Sequence, residues 1–198
     1  MKEENIRLSE NVIIADADYI DRVAFLLSVQ FERMIGRRIP PADMSQWAVC
    51  IALDGGLREG ANETQLVLVH DKGKEKMENF VPTGFADELN GCAFRDEKIG
   101  EFIVNAYATS DIVSKTDYME ELLRTALAHE EVRRIMVIPD GEDGETYDRV
   151  RQTLRQAAPE DKRVTVFAMQ PMAGGNFQQE ILGYSVMNAL GIKANEIK

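Results

Sequence analysis

Between residues 117 and 190 the apolar pattern switches repeatedly between helical and strand periods, and this alternation constrains the fold more than anything else in the chain. Asp117 to Glu131 carries apolar side chains at 118, 119, 122, 123, 126 and 127, which predicts a helix. Arg134 to Ile138 is a short apolar run, read as a strand. Tyr147, Val150, Leu154 and Ala157 mark a second helix, and Arg163 to Met169 a second strand. Asn176 to Leu190 reads as a third helix, stopped at Gly191. Elements alternating in this way, with short links, build right-handed crossover units on a parallel sheet. The class is α/β: a three-layer α/β/α sandwich around a mostly parallel sheet.

The first half is less regular. Val12 to Ala15 is an apolar run that breaks into Asp16, Asp18 and Asp21. It leads straight into a broad helical face over 19–36, with Gly36 as its stop. The apolar runs Trp47 to Leu53 and Leu66 to Val69 read as buried strands, and the glycine-rich stretch between them as a long hairpin loop. Asp71 to Asn90 gives only weak signals: K-G-K-E-K-M-E reads as solvated, and P-T-G-F as a turn. Cys92 to Arg95 and Glu101 to Ala108 suggest an antiparallel hairpin around Asp96 to Gly100. With no repeat, low-complexity segment or linker, the 198 residues read as one domain, 1–198.

Composition narrows the function classes. A net charge of -11 disfavours a broad surface tracking nucleic-acid phosphates, although a local basic cleft stays open. Cys50 and Cys92 provide neither a disulfide framework nor a zinc pattern, and Cys50 reads as a small buried hydrophobe. The opening M-K-E-E-N-I-R has no apolar leader core, and no apolar run approaches membrane-spanning length. The expectation is a cytoplasmic protein that engages no membrane. The methionines at 119, 136, 169, 172 and 187 read as gap-fillers in or near the core.

The residues able to carry chemistry are acids at predicted strand ends. Asp16 follows the first strand, with Asp18 read as the N-cap of the following helix and Asp21 as its third residue. Asp140 ends another strand, with Glu142 and Asp143 beyond it, and Asp143 can cap the next helix. If the two strands are neighbours, Asp16 and Asp140 with Asp18 and Asp143 can hold a hard divalent cation, Mg²⁺ or Mn²⁺. Such an ion would orient water for attack at phosphorus. Asp111 is a third acid beyond an apolar strand. Ser114 with Asp117 forms a capping box, and Lys115 can face a phosphate.

Gly174, Gly175 and Asn176 form a weak anion site if a helix starts there, yet Asn176 and Gln179 suit a plain cap equally. Neither a Walker lysine nor a dinucleotide fingerprint is present, so no organic cofactor is implied. His129 reads as a complement to a helix C-terminus, and His70 stands beside Asp71.

Asp16-Ala17-Asp18-Tyr19, together with the run from Asp117 through Ile138 to Asp140-Gly141-Glu142-Asp143, resembles the NYN/PIN-like ribonuclease superfamily. The resemblance covers chiefly residues 12–27 and 109–170. It implies the same sandwich, acids clustered at the carboxyl ends of central strands, and metal-dependent cleavage of RNA. Tyr19 stands where that family carries Asn. Ile14 to Asp18 also looks like the D-x-D of haloacid dehalogenase-type phosphatases. That resemblance implies Asp16 as nucleophile and Asp18 as general acid, with Asp140 to Asp143 as the later acidic motif and Ser110 as a strand-end hydroxyl.

Three readings follow: a phosphodiesterase acting on RNA, a phosphatase acting on a small phosphate ester, and a non-catalytic binding or assembly module with a protein partner.

Overall fold

The computed structural model describes residues 8–157 and 159–197. The expectation that the N-terminus has no apolar leader falls on residues 1–7, outside the described residues, as do positions 158 and 198 of the single domain read over 1–198.

Among the described residues, nine strands and five α-helices follow one another. They are β1 (Asn11–Asp16), α1 (Ala17–Ile35), β2 (Ala42–Asp43), α2 (Met44–Asp54), β3 (Glu63–His70), β4 (Phe80–Val81), β5 (Ala93–Asp96), β6 (Gly100–Ala108), α3 (Lys115–Ala128), β7 (Arg134–Ile138), α4 (Gly144–Ala157), β8 (Arg163–Ala168), β9 (Gln178–Ile181) and α5 (Leu182–Ala189). A π-helical turn spans Phe85–Leu89. Seven strands form one sheet in the order β5-β6-β3-β1-β7-β8-β9, parallel throughout except for the antiparallel β5–β6 hairpin. At that hairpin Gly100 (φ 100°) lies so close to the Asn62 backbone that a Cβ would sit 2.2 Å from its carbonyl oxygen, so only glycine fits.

Each strand of the sheet centre is apolar on both faces, as a sheet covered on both sides requires. Ile13, Leu66, Leu68, Met136 and Phe167 pack beneath α1, α2 and α5, around the fully buried Trp47. Val12, Ile14, Val67, Ile135 and Val166 pack on the opposite face, beneath α3 and α4. This is the α/β/α sandwich. Met119 and Met136 are buried, and Met169, Met172 and Met187 pack against the core edges.

Two predicted elements are corrected. Trp47 to Leu53 lies in α2, because Asp43 accepts the Gln46 N–H as an N-cap and the buried Trp47, Ala48, Ile51 and Ala52 follow helical spacing. The glycine-rich link to β3 is therefore no hairpin, and Cys50 sits half-buried on a helix. Asn176 to Leu190 is not one helix: Gln178–Ile181 is an exposed edge strand, and α5 starts only at Leu182. The link from β8 to β9 crosses without a helix. Tyr147 and Arg151 of α4 hold it by donating to the carbonyls of Ala173 and Gly174.

Candidate functional site

The carboxyl end of β1 sets the site. Asp16, not Asp18, is the N-cap of α1: its Oδ1 accepts the Tyr19 N–H at 3.0 Å. Asp18, already inside the helix, is freed to point sideways. It accepts the backbone N–H of Asp71 at 2.8 Å, just beyond the end of neighbouring β3. Asp21 binds the N–H groups of Glu78 and Asn79 at 3.1 and 2.7 Å and pins the segment after β3 against α1.

Lys115, the first residue of α3, enters this acidic corner. Its Nζ lies 3.1 Å from Asp16 Oδ1, 2.7 Å from Asp18 Oδ2 and 3.2 Å from Asp71 Oδ2. Lys74 approaches Asp18 from the solvent side at 3.2 Å. Burial lifts the Asp16 carboxyl above the ordinary carboxylate range, outweighing the pull of Lys115 and the Tyr19 N–H. Burial acts on Asp18 too. There the Lys115 hydrogen bond and charge, the Asp71 N–H and Lys74 together hold the carboxyl below its usual value. Lys115 feels burial as well, but the two aspartates raise its ammonium well above the ordinary lysine range. The corner is thus a knot of three carboxylates and two ammonium groups joining α1, α3 and the β3 end.

The other predicted acids do not join it. β1 and β7 are neighbours, with Ala15 opposite Ile138, so Asp16 and Asp140 do leave adjacent strands. Asp140, however, accepts from Arg22 at 2.8 Å and from the Glu142 N–H at 3.1 Å. Arg22 itself lies over the Tyr19 ring. Asp143 caps α4, accepting from the Glu145 N–H and from the Thr146 hydroxyl. Asp111 is exposed and pairs with Lys72. Among the described residues, no group of three Asp, Glu, His or Cys side chains is gathered as a metal site requires.

Ser114 caps α3, accepting the Asp117 N–H and donating to the Asp117 carboxylate, so that acid faces outward to Arg149 and away from the corner. Gly174, Gly175 and Asn176 precede an edge strand, not a helix, and Asn176 donates to the Leu154 carbonyl, so the expected anion site has no helix N-terminus to draw on. Ser110 accepts the N–H groups of Ile112 and Val113 within its own loop. His129 is the C-cap of α3, and its N–H reaches the Thr125 carbonyl.

Sequence reading does not anticipate a cleft of about 640 Å³ beside this corner. His70, the last residue of β3, forms one wall by stacking on Phe85 at 3.8 Å between ring centroids, with planes 1° apart. The weak signals of Asp71 to Asn90 conceal it, because most of its lining comes from a loop and a single π-helical turn, set against the ends of β3 and β6. Such turns recur at functional sites.

A family model described as a family of unknown function (DUF6621) matches residues 5–197, and the chain belongs to that family. No curated protein and no solved structure matches the chain.

Proposed function

We propose that this chain is a non-catalytic binding module: a divergent NYN/PIN-like sandwich in which a lysine ammonium replaces the divalent cation. The observation that carries this reading is the contact of Lys115 Nζ with Asp16, Asp18 and Asp71. Two buried carboxylates side by side require a compensating charge, and here the fold supplies its own. A second cation at the same place would meet a fixed positive charge within hydrogen-bonding distance of its ligands. Asp140 and Asp143, the other acids such a centre would use, are committed to Arg22 and to the start of α4. The cleft beside His70 falls in the size range of ligand pockets and gives the module a place to bind.

The phosphodiesterase reading keeps one favourable observation, the adjacency of β1 and β7 that brings Asp16 and Asp140 to one sheet edge. Incubation with single-stranded RNA and with a small phosphate ester, each with millimolar Mn²⁺, separates the two readings. The binding module leaves both substrates intact. Metal-dependent turnover abolished by Asp16→Asn would establish the hydrolase instead.

A further inference from the structure

The outer edge of β6 runs out of partners inside the cleft. In the parallel β3–β6 ladder the odd-numbered residues of β6 face β3: the Glu101 N–H reaches the Asn62 carbonyl, and the Thr109 N–H reaches His70. The even-numbered residues therefore turn their N–H and C=O groups outward. β5 satisfies the first of these through its pairing over Gly100 to Ile103. Cys92 and Gly91 then take both groups of Val104, and the side chain of Asn90 accepts the Ala106 N–H in place of a strand carbonyl. There the neighbouring chain turns away into the π-helical turn. Among the described residues, nothing pairs with the Ala106 carbonyl or with the N–H and C=O of Ala108, and both alanines line the cleft.

We infer that this cleft takes an extended polypeptide segment of another molecule, added as a short strand to the open end of β6. The inference rests on the binding-module reading and names its partner. The Ala106 carbonyl and the Ala108 N–H flank Tyr107, and one residue of an extended chain carries a donor and an acceptor at the matching spacing. Two methyl side chains leave the floor flat, so the added backbone can approach. The rim carries Lys74 and Lys76 against Glu75 and Asp87, but both lysines are already paired, Lys74 with Asp18 and Lys76 with Glu78, and Glu88 is spent on Thr83 and Gly84. With its lysines paired, the rim offers no basic track for a polyanion, which favours a peptide without acidic side chains over nucleic acid.

Amide hydrogen exchange on the whole chain reads the edge directly. In the free protein the Ala108 amide exchanges at least about a hundredfold faster than that of Thr109, which is bonded to the His70 carbonyl. A capped T-V-T-V-T peptide then slows Ala108 at least about tenfold, and the same peptide N-methylated at its valines does not. Ala108→Pro removes only an outward N–H, a change edge strands tolerate, and abolishes peptide binding with the melting temperature preserved. Equal protection of Ala108 and Thr109 in the free protein would overturn the inference. So would peptide binding indifferent to N-methylation, or a cleft that protects Ala108 only with oligouridylate. Metal-dependent hydrolysis is read in a separate assay and would strike the binding-module reading itself.

Discussion

Lys115 Nζ sits 2.7 Å from Asp18 Oδ2, joining the first turn of α3 to the first turn of α1 across 97 residues of sequence. The same nitrogen is 3.1 Å from Asp16, so one ammonium serves two carboxylates that are both more than nine-tenths buried. Removing one partner of such a buried set leaves charge uncompensated, typically at several kcal/mol.

Lys115→Met is therefore expected to destabilise the protein by about 3 kcal/mol, measured by urea unfolding. Adding Asp16→Asn to that variant should recover part of the loss, because it removes one of the two stranded charges. A double-mutant cycle with no coupling between the two positions would contradict the shared-ammonium account.

The two aspartates should respond differently to amidation. Asp16 has its carboxyl raised by burial, so its charge is disfavoured in the fold; Asn keeps the oxygen that caps Tyr19. Asp16→Asn should leave stability unchanged or higher at neutral pH. Asp18→Asn places an amide between Lys115 and the Asp71 N–H and should cost about 1–3 kcal/mol. Equal losses at both positions in thermal unfolding would refute the assignment.

Acid should weaken the knot through Asp18. Its folded-state carboxyl lies below the unfolded value, so its contribution is full above about pH 4 and fades as pH falls through the lower folded value. Asp16 has the opposite sign: its raised carboxyl takes up a proton first, which offsets part of the early loss on acidification. Comparison of the acid limb of stability for wild type and Asp18→Asn checks this. The variant should lose the steeper portion below about pH 4.

Much of this architecture was legible from the sequence. The alternating segments from Asp117 to Ala168 give strands and helices close to those found, and Gly36 (φ 70°) ends α1 as its position suggested. Trp47 to Leu53 misled because a short, continuous apolar run has no period to betray it; the cap at Asp43 was the available sign. β9 is a polar edge strand with only one apolar residue, so no alternation announces it.

The site divides along the same line. The acids at the ends of β1 and β7 follow from strand ends alone, and the two strands are neighbours. Their partners do not follow, because Lys115 and Arg22 reach them through the packing of α3 and α1, which no local pattern encodes.

Asp21→Ala should loosen the cleft without touching the knot. Asp21 satisfies two backbone N–H groups, of Glu78 and Asn79, that anchor the segment entering β4 and the π-helical turn. Losing both acceptors should cost about 2 kcal/mol, and amide exchange should accelerate over residues 77–90 more than in β1 or β7. Uniform acceleration across the sheet would show that Asp21 supports the core instead.

The melting temperature of wild type and Lys115→Met, with and without millimolar Mn²⁺, shows whether the lysine fills the place of a cation. With the ammonium in place, the wild type should show no shift. The variant, whose acids have lost their cation, should gain stability as Mn²⁺ binds the native state alone. A wild-type shift that Asp16→Asn removes would contradict the account and place a metal, not a lysine, at the end of β1.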